Sequence, residues 1–189
     1  PTKNMTTGEG GMIVTDRDDV AERAARFINH GRSDSYEHVE VGHNFRMTNI
    51  AAAIGRVQLD RLPEYVEKRR EHAARLDEVI EKTTLTGPVE PDDRTHAYHQ
   101  YTVRSNDRET VREYLDEFGI DTAVYYPTPI HEQPPYADGD HKAPVTEAAV
   151  DEVVSLPVHP QLSTDDLNDI ESGLIYADLH SLSKQEADD

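Results

Sequence analysis

The stretch GHNFRMTNIAAAIGRVQL, residues 42–59, joins a cluster of aromatic and polar side chains to a helical repeat. From Thr48 onward apolar residues recur every three or four positions, which predicts a helix with one apolar stripe: Ile50, Ala53, Ile54, Val57 and Leu62. Helix N-termini favour anions, and asparagine and arginine side chains donate hydrogen bonds to phosphates and carboxylates. Asn44 and Arg46, just before this helix, are therefore candidate ligands of an anion.

A glycine-rich segment, KNMTTGEGG at residues 3–11, lies near the beginning of the chain. Its glycines permit a close approach of the backbone to a bulky ligand. The following GGMIVT, residues 10–15, is typical of a short buried strand, and a helix is predicted after it. Composition alone would leave Lys3 a solvated surface charge. The polar loop from Gly31 to Gly42 is long for a compact unit, and such loops are often functional.

The rest of the chain alternates between helices and strands. A second helix is expected to begin at Pro63, because proline suits a first turn, and residues 83–94 form a connector. Beyond it we predict strands at 99–104, 120–126 and 155–158 and helices at 106–118, 146–154 and 163–174. The tail from Tyr176 lacks a core-facing pattern and is expected to be frayed.

This pattern predicts an α/β chain of several parts. Residues 1–62 are interpreted as the end of one domain, 63–94 as a helical connector with its linker, and 95–175 as a small α/β domain. Residues 176–189 are expected to be a disordered tail. Within the small domain, VYYPTPIH at residues 124–131 places two tyrosines at a strand end before a proline-rich loop. Core aromatics followed by a turn explain this segment as well as a ligand site does.

The composition excludes several classes of function. The chain has 189 residues and a formal net charge of −19, which argues against binding to nucleic acid or to anionic membranes. It contains no cysteine, so disulfides and thiolate chemistry are excluded. No apolar run is long enough to span a membrane and no signal peptide is evident, so we expect a cytoplasmic protein. The acid-rich, lysine-poor surface suggests adaptation to high salt, with an acidic protein from an ordinary environment as the alternative.

Other catalytic or metal-binding patterns find little support. His96 and His99 lie three residues apart, but no further ligand recurs at metal-binding spacing, so no metal is expected. No nucleophile elbow marks a serine hydrolase. The paired acids, such as Asp18 and Asp19, stand at predicted helix starts, where they favour the helix dipole.

Several ordered motifs together resemble one family. The sequence is similar to the pyridoxal-phosphate-dependent nucleotide-sugar aminotransferases of the DegT/DnrJ/EryC1/StrS family. The resemblance covers nearly the whole chain and is carried by the following segments: the lysine-to-GEGG loop (3–11), HGR (30–32), GHNFRMTNIAAAIGRVQL (42–59), KRREHAARL (68–76), YHQYTV (98–103), VYYPTPIH (124–131) and SLPVHP (155–160).

The resemblance implies an aspartate aminotransferase-like fold of pyridoxal-phosphate enzymes (fold type I), present in part. Residues 1–62 would be the end of the large domain that binds pyridoxal 5′-phosphate. The implied reaction transfers an amino group, from a donor such as glutamate, to a nucleotide-linked keto-sugar in the synthesis of a surface glycan or polysaccharide. The implied assembly is a homodimer with shared active sites.

The resemblance also implies roles for individual residues. Lys3 matches the lysine that binds the cofactor covalently and moves protons. Asn44 matches the residue that reaches the cofactor phosphate across the dimer. Arg46 matches an arginine near the substrate and the donor carboxylate. Tyr125 and Tyr126 match substrate-facing positions.

His131, in the loop after these tyrosines, is a further substrate-binding candidate by the same resemblance.

The sequence also departs from the family. The segment before Lys3, which in the family carries the aspartate for the pyridine nitrogen and the ring-stacking aromatic, is missing from this chain, so a truncated source or a separate chain is expected to account for it. His43 also replaces a frequent aromatic residue.

Two alternatives to an aminotransferase stay open. One is a sugar dehydratase of the same fold, although the resemblance implies a histidine in place of Lys3 for that class. The other is a truncated, non-catalytic fragment that contributes only a dimer surface.

Overall fold

The computed structural model describes residues 3–188 and consists of five helices and two strands in that range. The helices are α1 (Asp18–Phe27), α2 (Asn49–Ile80), α3 (Arg108–Glu117), α4 (Pro144–Glu152) and α5 (Thr164–Asp188). The strands are β1 (Tyr101–Arg104) and β2 (Val153–Leu156), and a 3-10 turn covers Ile130–Glu132. Backbone proximity divides the chain into a first unit, Pro1–Pro63, and a second unit, Glu64–Asp189. None of the described helices is long and apolar enough to cross a membrane.

The predicted buried strand at residues 10–15 is not formed in the first unit. Residues 11–15 have no regular structure, and Met12 and Val14 are 82% and 87% exposed. A strand requires a neighbouring strand to pair its backbone groups, and no strand within residues 3–188 pairs with this segment. The prediction of a buried strand is therefore wrong for these residues.

Helix α2 forms where the apolar repeat predicts it, but it does not restart at Pro63. The proline lies inside one continuous helix. A proline removes only one helical hydrogen bond, and buried side chains on the later turns keep the helix packed: Arg69, His72, Ala73, Leu76, Val79 and Ile80. By contrast, the apolar stripe on the earlier turns of α2 faces solvent: Ile50 is 77% exposed and Val57 is 53% exposed.

The core of the second unit lies around an antiparallel pair of strands. Strand β1 pairs with β2 in the register Tyr101↔Leu156 to Arg104↔Val153, and helices α3 and α5 pack against each other beside it. The side chains of Tyr101, Val103 and Val154 are fully buried. Both strands and helix α3 lie close to their predicted positions.

The predicted strand at 120–126 is reduced to a single bridge. Ala123 and Ser155 exchange two backbone hydrogen bonds, of 3.2 and 2.8 Å, on one edge of β2. On the opposite side of the pair, Thr86 makes a similar bridge to Arg104. Pro127 cannot donate a ladder hydrogen bond, which is consistent with the short pairing.

The expectation of a frayed tail is wrong for residues 176–184. Helix α5 continues through this segment, and Ala177 and Asp178 are buried. Asp178 accepts a hydrogen bond of 3.0 Å from the backbone N–H of Thr84, and Lys184 donates one of 2.9 Å to Thr110. These partners lie far away in the sequence, so local periodicity does not reveal them.

A buried arginine fixes the chain before strand β1. Arg69 is 6% exposed and donates hydrogen bonds from one terminal nitrogen to the carbonyl oxygens of Tyr98 (3.0 Å) and His99 (3.1 Å). Tyr98 has a left-handed backbone with φ of 39°. Burial lowers the pKa of Arg69 from its usual value. The guanidinium therefore holds a strained turn at a desolvation cost.

We expect Arg69→Lys to lower the free energy of unfolding by about 1–3 kcal/mol, because the lysine ammonium ends one bond short of the terminal nitrogen that donates to both carbonyls. Urea unfolding followed by circular dichroism measures the change. The matched control is Arg94→Lys, which alters an exposed ion pair with Asp93 and should leave the free energy of unfolding nearly unchanged. Equal effects of the two substitutions would contradict the role of the buried arginine.

Candidate active site

The glycine-rich segment that begins at Lys3 lies against helix α2 in the first unit. Lys3 is exposed in an irregular turn. The backbone N–H of Thr6 donates to the side-chain carbonyl of Gln58 at 3.4 Å. A Cβ on Gly55 would lie 3.0 Å from the methyl group of Thr7, so the loop and the helix approach closely. Local contacts therefore fix the loop that carries the candidate lysine.

A crossing of two backbone segments positions the residues before helix α2. A Cβ on Gly42 would lie 2.1 Å from the backbone nitrogen of Gly31 and 2.7 Å from the carbonyl oxygen of Phe27. The N–H of His43 donates to that same Phe27 oxygen at 2.7 Å, and the N–H of His30 donates to the oxygen of His43 at 2.8 Å. Only glycine fits at position 42, because any side chain would collide with backbone atoms.

Three aromatic rings surround this crossing. The imidazole of His43 stacks on Phe45 with ring centroids 4.8 Å apart, and Phe27 meets His43 edge-on at 5.0 Å. Arg26 on helix α1 forms a 3.0 Å ion pair with Glu40 of the polar loop. The ring stack and the ion pair hold the segment that presents Asn44 and Arg46.

Asn44 and Arg46, which the sequence predicts as anion ligands, are brought together. Arg46 donates from Nε to the side-chain oxygen of Asn44 at 3.1 Å. This bond occupies an acceptor of the amide and leaves its NH₂ group and the terminal guanidinium nitrogens as donors. The pair therefore forms a donor-rich surface suited to a phosphate or carboxylate.

A cavity of about 570 Å³ adjoins this surface, within the range of sizes typical of ligand sites. The glycine-rich loop lines it with Thr7, Gly10 and Gly11, and Arg46 and Thr48 line it beside the start of helix α2. The hydroxyl of Thr48 accepts the N–H of Ala51 at 3.2 Å and so caps the helix. The cavity combines an arginine with backbone that can approach a ligand closely.

The remaining predicted site residues belong to the second unit. Tyr125 and Tyr126 follow the bridge at Ala123, are 43% and 70% exposed, and meet edge-on with ring centroids 5.5 Å apart. The peptide bond between them is cis. Both rings are thus available to a ligand, which disfavours the interpretation as core aromatics.

His131 lies in the 3-10 turn and contacts a carboxylate that the sequence analysis missed. Its Nε2 lies 3.0 Å from Oε1 of Glu147 on helix α4 and 3.9 Å from Glu132. The backbone N–H of Ala143, followed by His131, lowers the pKa of Glu147. An acid in the first turn after Pro144 is typical of a helix start, and nothing in the local sequence indicates its contact with His131.

The three side chains of His131, Glu132 and Glu147 converge, and one ligand atom from each lies within 4.8 Å of the others. An imidazole and two carboxylates are also ligand types that bind divalent cations. The site residues thus fall into two groups: Lys3, Asn44 and Arg46 in the first unit, and Tyr125, Tyr126 and His131 in the second.

Solved structures that resemble this chain define its class. Aminotransferase TlmJ of Streptoalloteichus hindustanus superposes with a TM-score of 0.82 at 32% identity, over 94% of this chain and 49% of that one. Sugar aminotransferase CalS13 of Micromonospora echinospora superposes with a TM-score of 0.85 at 27% identity, over 90% and 48%. The chain therefore forms part of the fold type I architecture of sugar aminotransferases, which confirms the predicted fold class.

The chain belongs to the DegT/DnrJ/EryC1/StrS aminotransferase family, whose sequence model matches residues 1–174. It is 40% identical over 169 residues to the pleiotropic regulatory protein of Geobacillus stearothermophilus, covering 86% of this chain and 45% of that protein. It is 37% identical over 157 residues to the UDP-2-acetamido-2-deoxy-3-oxo-D-glucuronate aminotransferase of Pseudomonas aeruginosa, covering 83% and 44%. The chain spans about half the length of the curated relatives it matches.

We expect Gly42→Ala to loosen the segment that carries Asn44 and Arg46, because its Cβ would collide with the backbone of Gly31. Hydrogen exchange at the amides of residues 43–46 should accelerate by about tenfold or more. The matched control is Gly11→Ala, whose Cβ would meet no atom within 4 Å and whose backbone is not left-handed. Unchanged exchange in Gly42→Ala would show that the crossing does not hold this segment.

Proposed function

We propose that this chain is part of a pyridoxal-phosphate-dependent aminotransferase. The enzyme would transfer an amino group, from a donor such as glutamate, to a nucleotide-linked keto-sugar in surface glycan or polysaccharide biosynthesis. The family match over residues 1–174 carries the proposal. Relatives named as nucleotide-sugar aminotransferases, including the one from P. aeruginosa, support it. No observation favours a dehydratase over this activity.

The chemistry of the donor set fits pyridoxal 5′-phosphate, an aldehyde with an anionic tail. Lys3 supplies an exposed primary amine for the aldehyde. The amide NH₂ of Asn44 is oriented by its bond to Arg46 and can donate to the phosphate. When bound, the cofactor supplies an electron sink for the bond cleavage at the donor carbon. Residues 1–62 would then be the end of the large cofactor-binding domain, 63–94 the connector and 95–175 the small domain.

The residues of this chain would bind the substrates and move the proton. The Nζ atom of Lys3, as a neutral amine, would accept the proton that leaves the Cα of the amino-acid donor, and in the second half-reaction it would donate a proton to the sugar carbon that receives the amino group. Arg46 uses its terminal nitrogens to hold a carboxylate while its Nε remains on Asn44. The exposed hydroxyls of Tyr125 and Tyr126, together with His131, hydrogen-bond the sugar nucleotide.

We further propose a homodimer in which Asn44 of one subunit serves the active site of the other. The apolar residues Ile50, Ile54 and Val57 lie along helix α2 at helical spacing and are 77%, 45% and 53% exposed, which is typical of a surface that another chain covers.

We also propose a cytoplasmic location and a surface adapted to high salt. The net charge of −19 supports the salt adaptation, because screening reduces the self-repulsion of such a chain.

The function is tested at Lys3 in the complete gene product. After addition of pyridoxal phosphate and reduction with borohydride, peptide mapping should find the cofactor attached to Lys3. Lys3→Ala should abolish both the label and the amination of a nucleotide keto-sugar, because no other amine replaces it. Lys68→Ala, which removes an exposed lysine paired with Glu64, is the control and should retain both. A label on another residue, or turnover in Lys3→Ala, would contradict the proposal.

The shared site is tested by mixing inactive variants. Lys3→Ala and Asn44→Asp subunits should each be inactive alone, since aspartate replaces the donor amide with an acceptor that repels phosphate. After denaturation and refolding together, one restored site in half of the dimers predicts about a quarter of the wild-type activity. A mixture of Lys3→Ala with the double variant restores no site and is the control. Failure to recover activity would place Asn44 in its own subunit's site.

A further inference from the structure

We propose that Glu147 is a positioning residue that holds the imidazole of His131 by Nε2 and presents Nδ1 as a hydrogen-bond acceptor to the sugar nucleotide. The inference rests on the proposed function, in which His131 faces that substrate. It adds a residue with no assigned role and specifies the atom of His131 that meets the ligand. The chemical partner of Nδ1 would be a hydroxyl or N–H group of the nucleotide-linked sugar.

The first support is the double attachment of the Glu147 carboxylate. Its Oε1 accepts the backbone N–H of Ala143 at 2.8 Å and lies 3.0 Å from Nε2 of His131. The side chain of His131 is only 16% exposed. The carboxylate is therefore fixed at the start of helix α4, and the imidazole is fixed by the carboxylate.

The second support is the position of the protons. The N–H of Ala143 and the contact with His131 lower the pKa of Glu147, so this carboxyl group is ionised at neutral pH. An ionised carboxylate only accepts hydrogen bonds, and Nε2 of His131 must therefore carry the proton. In a neutral imidazole the lone pair then lies on Nδ1. Among the described residues, no hydrogen bond to this Nδ1 is found.

The third support is the way the contact closes the proline-rich loop. His131 and Glu147 are separated by sixteen positions, and the segment between them contains Pro134 and Pro135. Helix α4 leads directly into strand β2, which lies in the core. The contact thus ties the ring of His131 to the helix that directly precedes the core strand β2.

The other charged groups near this pair are less well placed. Glu132 lies 3.9 Å from the imidazole and its side chain is 54% exposed, whereas Lys142 interacts electrostatically with Glu147. A cation held by His131, Glu132 and Glu147 is the competing interpretation of the same cluster. A nitrogen that ligates a cation must be unprotonated, so a cation on Nε2 would displace the proton that Nε2 donates to Glu147. The hydrogen-bonded pair is therefore favoured.

The kinetic test uses the complete gene product with its cofactor, once wild-type turnover and the label on Lys3 are established. Glu147→Ala should raise KM for the nucleotide keto-sugar by about tenfold and change kcat less than about twofold, because a binding contact loses its orientation. Glu147→Gln should restore most of the affinity, since its amide oxygen still accepts both N–H groups. Glu132→Ala is the matched control and should leave KM unchanged.

A double-mutant cycle separates positioning from a structural role. In a His131→Ala background, Glu147→Ala should raise KM by less than about twofold, since its effect passes through the imidazole. An equal effect in both backgrounds would overturn the proposal, as would an effect of Glu132→Ala equal to that of Glu147→Ala. A rise in KM on treatment with EDTA that zinc reverses would also overturn it, in favour of a cation site.

The protonation of His131 provides a readout that does not depend on turnover. In wild-type protein with ¹⁵N-labelled histidine, the nitrogen chemical shifts of the neutral imidazole should show the proton on Nε2, assigned by comparison with His131→Gln. A proton on Nδ1 would overturn the inference even if the enzyme is active. Conversely, wild-type protein without turnover or label but with the proton on Nε2 would refute the proposed function and leave the contact itself established.

Discussion

The second unit depends on the antiparallel pairing of strands β1 and β2. Two strands alone are marginally stable in water, so this pair requires the helices that pack around it. Its buried side chains, among them Tyr101 and Val154, join those of helices α2, α3 and α5 in one core. Each strand makes one further β-bridge on its outer edge: β1 pairs with Thr86, and β2 pairs with Ala123. The bridge at Ala123 fixes the backbone two residues before Tyr125. Main-chain hydrogen bonds therefore connect the core of the second unit to the candidate substrate-binding tyrosines.

The first unit is organised by backbone contacts more than by apolar burial. Its helix α1 has no fully buried residue, and the apolar side chains from Met12 to Val14 are exposed. Order comes from the crossing at Gly31 and Gly42, from the stacked rings beside it and from an ion pair. These contacts hold the hydrogen-bond donors of Asn44 and Arg46 in place before a ligand binds. Binding of an anion would therefore require little reorganisation.

The strongly negative charge of the chain and its candidate anion site are compatible because the relevant interactions are local. At physiological ionic strength, exposed charges beyond about 8 Å are largely screened. The amide of Asn44 and the guanidinium of Arg46 lie within hydrogen-bonding distance of each other, so a ligand that meets one also meets the field of the other. In the second unit, the acidic Glu147 has a similarly local effect on His131. Net charge therefore bears on solubility and salt response, while a few neighbouring groups determine binding.

Local patterns in the sequence identify several features: the helical repeat after Thr48, strand β1, helix α3 and the ordered motifs of the family. The sequence did not reveal that α2 continues through Pro63 or that α5 continues beyond Tyr176, because burial in the core outweighs the local preference to end a helix. Nor could it pair His131 with Glu147, since that contact closes a loop. These features are set by tertiary packing, because they depend on groups that are distant in the chain and adjacent only after folding.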